Sequence, residues 1–341
     1  MPEARRRPPG STDVARLAGV SQKTVSRVIN GEPYVSDEIR QRVLAAAREL
    51  GYRRNTAARA LNLGRFHRIG VASLGSSLYG PASMLIALER HAREVGYALS
   101  VVNTMEGDDT GVVNAVETLL EQGVDGIVIS EPIVAEQELR IDASVPVLSF
   151  GPVAGLDAPQ VITPGPSGVD AGREATEHLL RLGHATVRHV AGPSRWWAAR
   201  DRVRGWREAL AAAGAPEPPP LEGDWSPASG YAAGRVLAAD REATAVFVAN
   251  DDMAIGVLHA LAEAGRAVPE DVSVVGMDDV PAAAYLSPPL TTVRQDFEAI
   301  IAHGLALLLE RIEGGSRVAV HDTPVTHLVV RRSTSPPKEK R

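Results

Sequence analysis

Gln22, Lys23, Thr24, Ser26 and Arg27 crowd polar groups onto the outward side of one short predicted helix, and Ser21 stands at its start. Side chains of these types, projecting from the first turns of a helix, can enter a groove about 12 Å wide and meet base edges and phosphates. A second set lies far downstream. Asn250 follows the apolar run AVFVA, Asp278 follows VSVVGM, and Arg202 sits in the stretch WWAARDRVRGW. At the carboxyl ends of strands, such residues would offer donors and acceptors to a small polar ligand.

The first set needs a rigid mount. Ser11 is placed to cap a short helix through Leu17, Ala18-Gly19-Val20 makes a tight turn, and Ser21 caps a second helix to about Ile29, which Asn30-Gly31 stops. Val14, Leu17, Val20, Val25 and Val28 give these helices a shared apolar face. Ser36, Asp37 and Glu38 suit the positive end of a third helix, along which Ile39, Val43, Ala46 and Leu50 form a stripe that closes a three-helix core. Asn55 then caps TAARALNL, about two turns of helix, which is marginal alone in water and calls for a surface to form against.

Charge divides the chain at the same place. Residues 1–68 hold 14 Lys or Arg against 6 Asp or Glu, a charge of +8, whereas 69–341 hold 22 against 36, a charge of −14. A basic module ahead of an acidic body attracts a polyanion locally. A solvated basic tail is the other reading of the charge, but the periodic order within the segment argues against a floppy arm. The absence of cysteine excludes disulfides, thiolate zinc sites, iron–sulfur clusters and cysteine nucleophiles. No apolar run is long enough to span a bilayer and the start MPEARRRPPG has no signal-peptide core, so a cytoplasmic location away from the membrane is expected.

The acidic body alternates apolar runs with helical segments. A helix is expected from about Ala82 to Val95, and strands at Leu99–Val102, Gly126–Ile129, Val145–Phe150, Val187–Ala191, Ala245–Val248 and Val272–Val275. The pairs LLEQGVDGIVI and HLLRLGHATVRHV share a helix end, a glycine and a strand, implying parallel sheets covered on both faces.

The run DVARLAGVSQKTVSRVING followed by VSDEIRQRVLAAARELGYRRNTAARAL resembles the headpiece and hinge of the lactose/purine repressor (LacI) family of bacterial transcription regulators. EGDWSPASG, VFVANDDMAIG, VSVVGMDD and PPLTTVRQDF extend the likeness through the body, where it is closest to lactose-responsive members, over roughly 12–332. The resemblance implies a helix-turn-helix headpiece and hinge helix ahead of a two-lobed α/β body like that of periplasmic sugar-binding proteins. The expected division is a disordered basic arm at 1–10, the DNA-binding domain at 11–54 and the hinge helix and linker at 55–68. A sugar-binding and dimerisation body follows at 69–332, with lobes at about 69–163 and 164–291 and a tail crossing back to the first, then a disordered end at 333–341.

By position, the resemblance puts Ser21, Thr24 and Arg27 at phosphate or base contacts and Gln22 and Lys23 at the pair that distinguishes operators. Ser26 and Asn30 are counted with them as DNA-binding residues, and the resemblance adds Asn55 and Ala58 as hinge contacts and Leu61 as a wedge between the central base pairs. A leucine in the hinge-dimer seam is the competing reading of Leu61. In the body, Arg202, Asn250, Asp278 and Gln295 match sugar-contact positions, and Trp225 and Phe297 match aromatic walls. Asp251 or Asp252 could instead cap a helix, Asp279 could cap or meet a neighbouring loop, and Trp225 could be core.

Three departures bear on the ligand. Gly151 stands where lactose-responsive members carry an aspartate, and Thr163 where they carry a phenylalanine, while Trp196-Trp197 replaces small residues. Trp196 stacking on an extended sugar suggests a β-linked disaccharide, although a tryptophan pair covering the lobe interface fits as well. The expected partners are thus a pseudo-palindromic DNA operator, a small sugar and a second copy of the chain. RRSTSPPKEKR has no apolar heptad, so a dimer is expected rather than a tetramer.

Enzyme, metal and cofactor readings find no anchor. No G-x-G-x-x-G, P-loop, G-x-S-x-G or H-E-x-x-H is present, and histidines 67, 91, 178, 184, 189, 259, 303, 321 and 327 form no compact cluster. A transported-sugar binding protein and a sugar-modifying enzyme remain as rivals; the first would not need the headpiece, and the second would turn a sugar over.

Overall fold

The computed structural model describes residues 9–29, 31–52, 64–75, 77–105, 110–130, 141–151, 153, 155–157, 161–162, 168–314 and 326–338. The expected contacts Asn30, Asn55, Ala58 and Leu61, and Thr163, lie outside them. The chain forms two compact units that divide after Phe66.

In the first unit, α1 (Ser11–Ala18), α2 (Gln22–Ile29) and α3 (Asp37–Glu49) close on Val14, Ala15, Ala18, Val25, Val28, Val43, Ala46 and Ala47. Leu17, expected in this core, is 47% exposed, because the eight-residue α1 turns Val14, Ala15 and Ala18 inward instead. The cap of α1 also differs from expectation. Gly10 precedes the helix and its N–H donates to the Asp13 carboxylate at 2.9 Å, so Ser11 is already helical. Ser21 and Ser36 do cap α2 and α3, accepting the N–H groups of Thr24 and Ile39 at 3.1 and 3.5 Å. Arg42 donates to the Ala18 carbonyl at 2.6 Å and Arg40 to that of Glu32 at 2.8 Å, fastening α3 to the ends of α1 and α2.

Among the described residues, the second unit has a five-stranded and a six-stranded sheet and one separate two-stranded pair. In chain order its strands are β1 (Arg68–Leu74), β2 (Ala98–Thr104), β3 (Gly126–Ser130), β4 (Ile141–Asp142), β5 (Val147–Ser149), β6 (Leu156–Asp157), β7 (Val161–Ile162), β8 (Arg188–Ala191), β9 (Leu221–Glu222), β10 (Ala245–Val248), β11 (Ser273–Asp278), β12 (Thr291–Arg294) and β13 (His327–Val329). The helices are α4 (Tyr79–Glu94), α5 (Gly111–Glu121), α6 (Gly168–Arg181), α7 (Trp197–Ala212), α8 (Pro227–Ala239), α9 (Asp251–Glu263) and α10 (Phe297–Glu313). The first sheet runs β2-β1-β3-β5-β7, all parallel; β4 pairs with β6 alone. The second runs β13-β12-β11-β10-β8-β9 and is parallel except between β12 and β13. Continuous apolar runs such as AVFV at β10, buried at all four positions, suit strands covered on both faces.

The segment after β12 makes two crossings between the lobes. After β12 the chain crosses to the first lobe, where Ile301, Leu305 and Leu308 of α10 pack with Leu88, Val128 and Leu148. It then returns, since β13 pairs antiparallel with β12 in the second lobe. The end is also more ordered than expected. Ser333 is fully buried, donating to the Val274 carbonyl at 2.6 Å and accepting the Thr291 N–H at 2.8 Å, and Lys338 pairs with Asp271 at 2.8 Å. These polar groups finish the exposed side of the second sheet, which composition alone reads as a loose polar end.

Candidate functional site

On the headpiece, Ser21, Gln22, Lys23, Ser26 and Arg27 are exposed and Thr24 is half-buried, forming one outward surface at and after the start of α2. The Ser21 and Thr24 hydroxyls lie 2.9 Å apart, Gln22 donates to the Ser11 hydroxyl at 2.9 Å, and Arg27 stands 3.5 Å from Glu32. Val25 and Val28 point the opposite way into the core, and this amphipathic split is what fixes the polar face outward.

In the body, a cavity of about 160 Å³, roughly ten times the space one water needs, opens between the lobes. Trp196, Arg202, Trp225, Asn250, Asp278, Gln295 and Phe297 all line it. Arg202 is buried, its guanidinium 5.3 Å from the centre of the Trp225 ring and 3.9 Å from the Asp278 carboxylate. It also donates to the Ala249 carbonyl at 2.5 Å. Asp278 accepts from the Gln295 amide at 2.6 Å, and burial, opposed by Arg202, pushes its carboxyl up to about 6. Desolvation lowers the pKa of Arg202, with Asp278 acting against it.

Asn250, not either neighbouring aspartate, caps α9. Its side-chain oxygen accepts the Met253 N–H at 2.9 Å and its amide donates to the Trp225 carbonyl at 3.0 Å. Asp251 is instead fully buried, accepting from the Thr292 hydroxyl at 2.7 Å and the Val280 N–H at 2.9 Å. Burial and the nearby Asp278 push it up to about 8. Asp279 makes ion pairs with Arg294 and, at 2.6 Å, with Arg331, tying the end of β11 to β12 and the final segment.

The aromatic wall combines core and cleft. Trp196 and Trp225 are both buried, their rings edge-to-face at 5.4 Å, and belong to the second lobe's apolar core while lining the cavity. Trp225 is thus a core residue that also lines the cavity. The indole nitrogens of Trp196, Trp197 and Trp225 and Nε of Arg202 are buried with no hydrogen-bond partner among the described residues.

Sequence reasoning missed Tyr79, Ser130, Phe150 and Ile300 as lining residues. Ser130 ends β3 and Phe150 follows β5, so the strand-end rule applied to Asn250 and Asp278 could have found them. Tyr79 and Ile300 sit on helices that face the cleft only through the packing of α4 against α10.

Residues 12–55 match the family described as bacterial regulatory proteins, lacI family, and residues 176–334 match the periplasmic binding protein-like domain. The lactose operon repressor of Escherichia coli K12 is 34% identical over 329 residues, 95% of this chain and 90% of that protein. The chain belongs to the LacI family of bacterial regulatory proteins. The LacI-family relatives include the ribose operon repressor of Escherichia coli K12, 35% identical over 88% of this chain and 92% of that protein. They also include the transcriptional repressor PurR of Pasteurella multocida, 34% identical over 94% and 97%. Among solved structures, the lac repressor dimer bound to operator and the anti-inducer ONPF aligns with a TM-score of 0.82 at 33% identity, covering 96% of this chain and 100% of that one. The CelR–cellobiose complex aligns at 0.67 and 32%, covering 95% and 99%.

This LacI-family chain is thus a DNA-binding transcription regulator, with α1 and α2 as its helix-turn-helix and a two-lobed periplasmic-binding-protein-like body. The family is regulatory rather than catalytic. Among the described residues, no helix is long and apolar enough to cross a membrane, and no group of three or more metal-ligating side chains comes together.

Proposed function

We propose that this regulator represses carbohydrate-utilisation genes as a homodimer on a pseudo-palindromic operator, and is released when a neutral sugar, a β-linked disaccharide, fills the cleft. The cleft carries the reading: Arg202 over Trp225, beside Asp278 and Gln295, joins an apolar ring face to paired donors and acceptors. Pyranose rings have that combination, with C–H faces that stack and hydroxyls that bridge. Among the described residues lining the cleft, Arg202 is the one Lys or Arg and it faces a carboxylate, so the cleft favours uncharged ligands over sugar phosphates.

Relatives named for lactose and ribose operons, and a relative solved with cellobiose, support a sugar. Ser21, Gln22, Lys23, Thr24, Ser26, Arg27 and Asn30 would contact the DNA from the headpiece, and Asn55, Ala58 and Leu61 would extend the contact into the operator's centre. The sugar acts on DNA affinity only through a difference in its own affinity for two body states. The second reading within the family is a corepressor-dependent repressor, in which the ligand strengthens operator binding.

The test is selection of duplexes from a random pool by the full chain at low salt, then competition with cellobiose, lactose and xylobiose. We expect a palindromic preference, two subunits per duplex by light scattering, and release by at least one disaccharide. No preference for any duplex overturns the reading; tighter binding with sugar replaces release by the corepressor sign.

A further inference from the structure

Trp197 opens α7 beside Trp196, yet the two face different surroundings. Trp196 is locked edge-on to Trp225 in the second lobe's core. Trp197 is half-buried, lines the cavity, and lies against Gly151 of the first lobe, so closely that a Cβ added there would overlap the indole. Gly151 is not among the positive-φ glycines, so the lack of a side chain answers to space and not to backbone conformation. Its position is fixed from within the first lobe: the Ser149 hydroxyl donates to the Gly151 carbonyl at 2.5 Å and accepts its N–H at 3.3 Å. The indole nitrogen of Trp197 is buried and has no partner among the described residues.

The two departures at 151 and 197 are therefore one feature. A side chain at 151 would reach toward the cleft from the first lobe; here the second lobe sends Trp197 into that space, and its ring lines the cavity. We propose that Trp197, seated on Gly151, is a specificity-determining residue that selects a saccharide with a second, uncharged pyranose ring, whose C–H face meets the indole. This rests on the sugar reading above. The first ring remains with Arg202 and Asp278, so Trp197 discriminates disaccharides from monosaccharides.

The test is titration calorimetry on the full chain with cellobiose, lactose, xylobiose, glucose, galactose and xylose. Trp197→Ala should lose about tenfold or more in affinity for the preferred disaccharide, the range of one buried contact, with monosaccharide affinity nearly unchanged. Trp197→Phe keeps a ring face and should lose less. Gly151→Ala should imitate Trp197→Ala by displacing the indole, and the double variant should be no worse than Trp197→Ala alone. Losses that multiply in the double variant, an unaltered Gly151→Ala, or equal losses for mono- and disaccharides overturn the assignment. Should Gly151→Ala not fold, the two Trp197 variants decide by the same disaccharide-to-monosaccharide ratio. A wild-type chain that binds none of these sugars defeats the sugar reading and this inference with it, whereas wild-type binding unchanged by the variants defeats the inference alone.

Discussion

The Gln295 amide donates to the Asp278 carboxylate at 2.6 Å, joining the segment that leaves β12 for the first lobe to the end of β11 in the second. Asp278 and Asp279 both have positive φ, 109° and 54°, conformations that cost about 1–3 kcal/mol each outside glycine. The ion pairs of Asp279 with Arg294 and Arg331 and the bond from the Val280 N–H to Asp251 hold this turn in place.

The Asp278 carboxyl is pushed up to about 6, and sugar hydroxyls donate more strongly to its ionised form. Sugar affinity should therefore weaken as pH falls through 6 and level off above it. Asp278→Asn should bind more weakly and lose that pH dependence. Calorimetric titrations between pH 5 and 8 check both, and a wild-type profile that is flat across 6 contradicts the role.

Arg202→Ala removes the group that faces Asp278 and covers Trp225. Charged hydrogen bonds of this kind contribute about 1.5–3 kcal/mol, so sugar affinity should fall by about tenfold or more. Operator binding should persist while sugar-driven release disappears. Full release by the same sugar concentration overturns the assignment.

Arg27 has Glu32 at 3.5 Å, so a phosphate would compete with a carboxylate for it. Arg27→Ala should weaken all operators alike and reduce the salt slope by about 1, whereas Gln22 or Lys23 substitutions should chiefly change sequence preference. Glu32→Gln should tighten binding to every duplex by freeing Arg27. Electrophoretic shifts over a salt series read all three, and uniform losses from both classes of variant contradict the division.

His189 is buried, donates through Nδ1 to the Phe247 carbonyl at 2.9 Å, and stacks on Phe247 at 4.7 Å; burial pushes its pKa down to about 4. The unfolded chain takes up that proton near 6.5 and the native chain does not, so its stabilising contribution is full above 6.5 and lost as pH falls toward 4. Asp251, raised to about 8, has the opposite sign, its contribution declining from about 4 up to 8. Differences from wild type separate the two. His189→Phe should gain on wild type as pH falls from 6.5 to 4, and Asp251→Asn should gain as pH rises toward 8, in thermal midpoints across pH. A constant offset in either series contradicts the corresponding group.

The sequence by itself determined what depends on near neighbours. Strand Ala245–Val248 matches its apolar run residue for residue, and Ser21 and Ser36 cap the helices expected of them, because a buried run and a capping hydroxyl act within a few residues. Arg202, Asn250 and Asp278 were legible as ligand residues from their placement by the strand ends, Trp196, Trp225, Gln295 and Phe297 only beside the family resemblance, and all seven line one cavity. Local pattern misled where packing chose between similar options: Leu17 gave way to Ala15 and Ala18 in the headpiece core, and the polar end at Ser333 became part of the second lobe. Gly151 and Trp197 were visible as two unrelated departures. That the indole of one occupies the space left by the other follows from the two lobes meeting at the cleft, and no periodicity along the chain encodes a contact between residues brought together only when both sheets have folded.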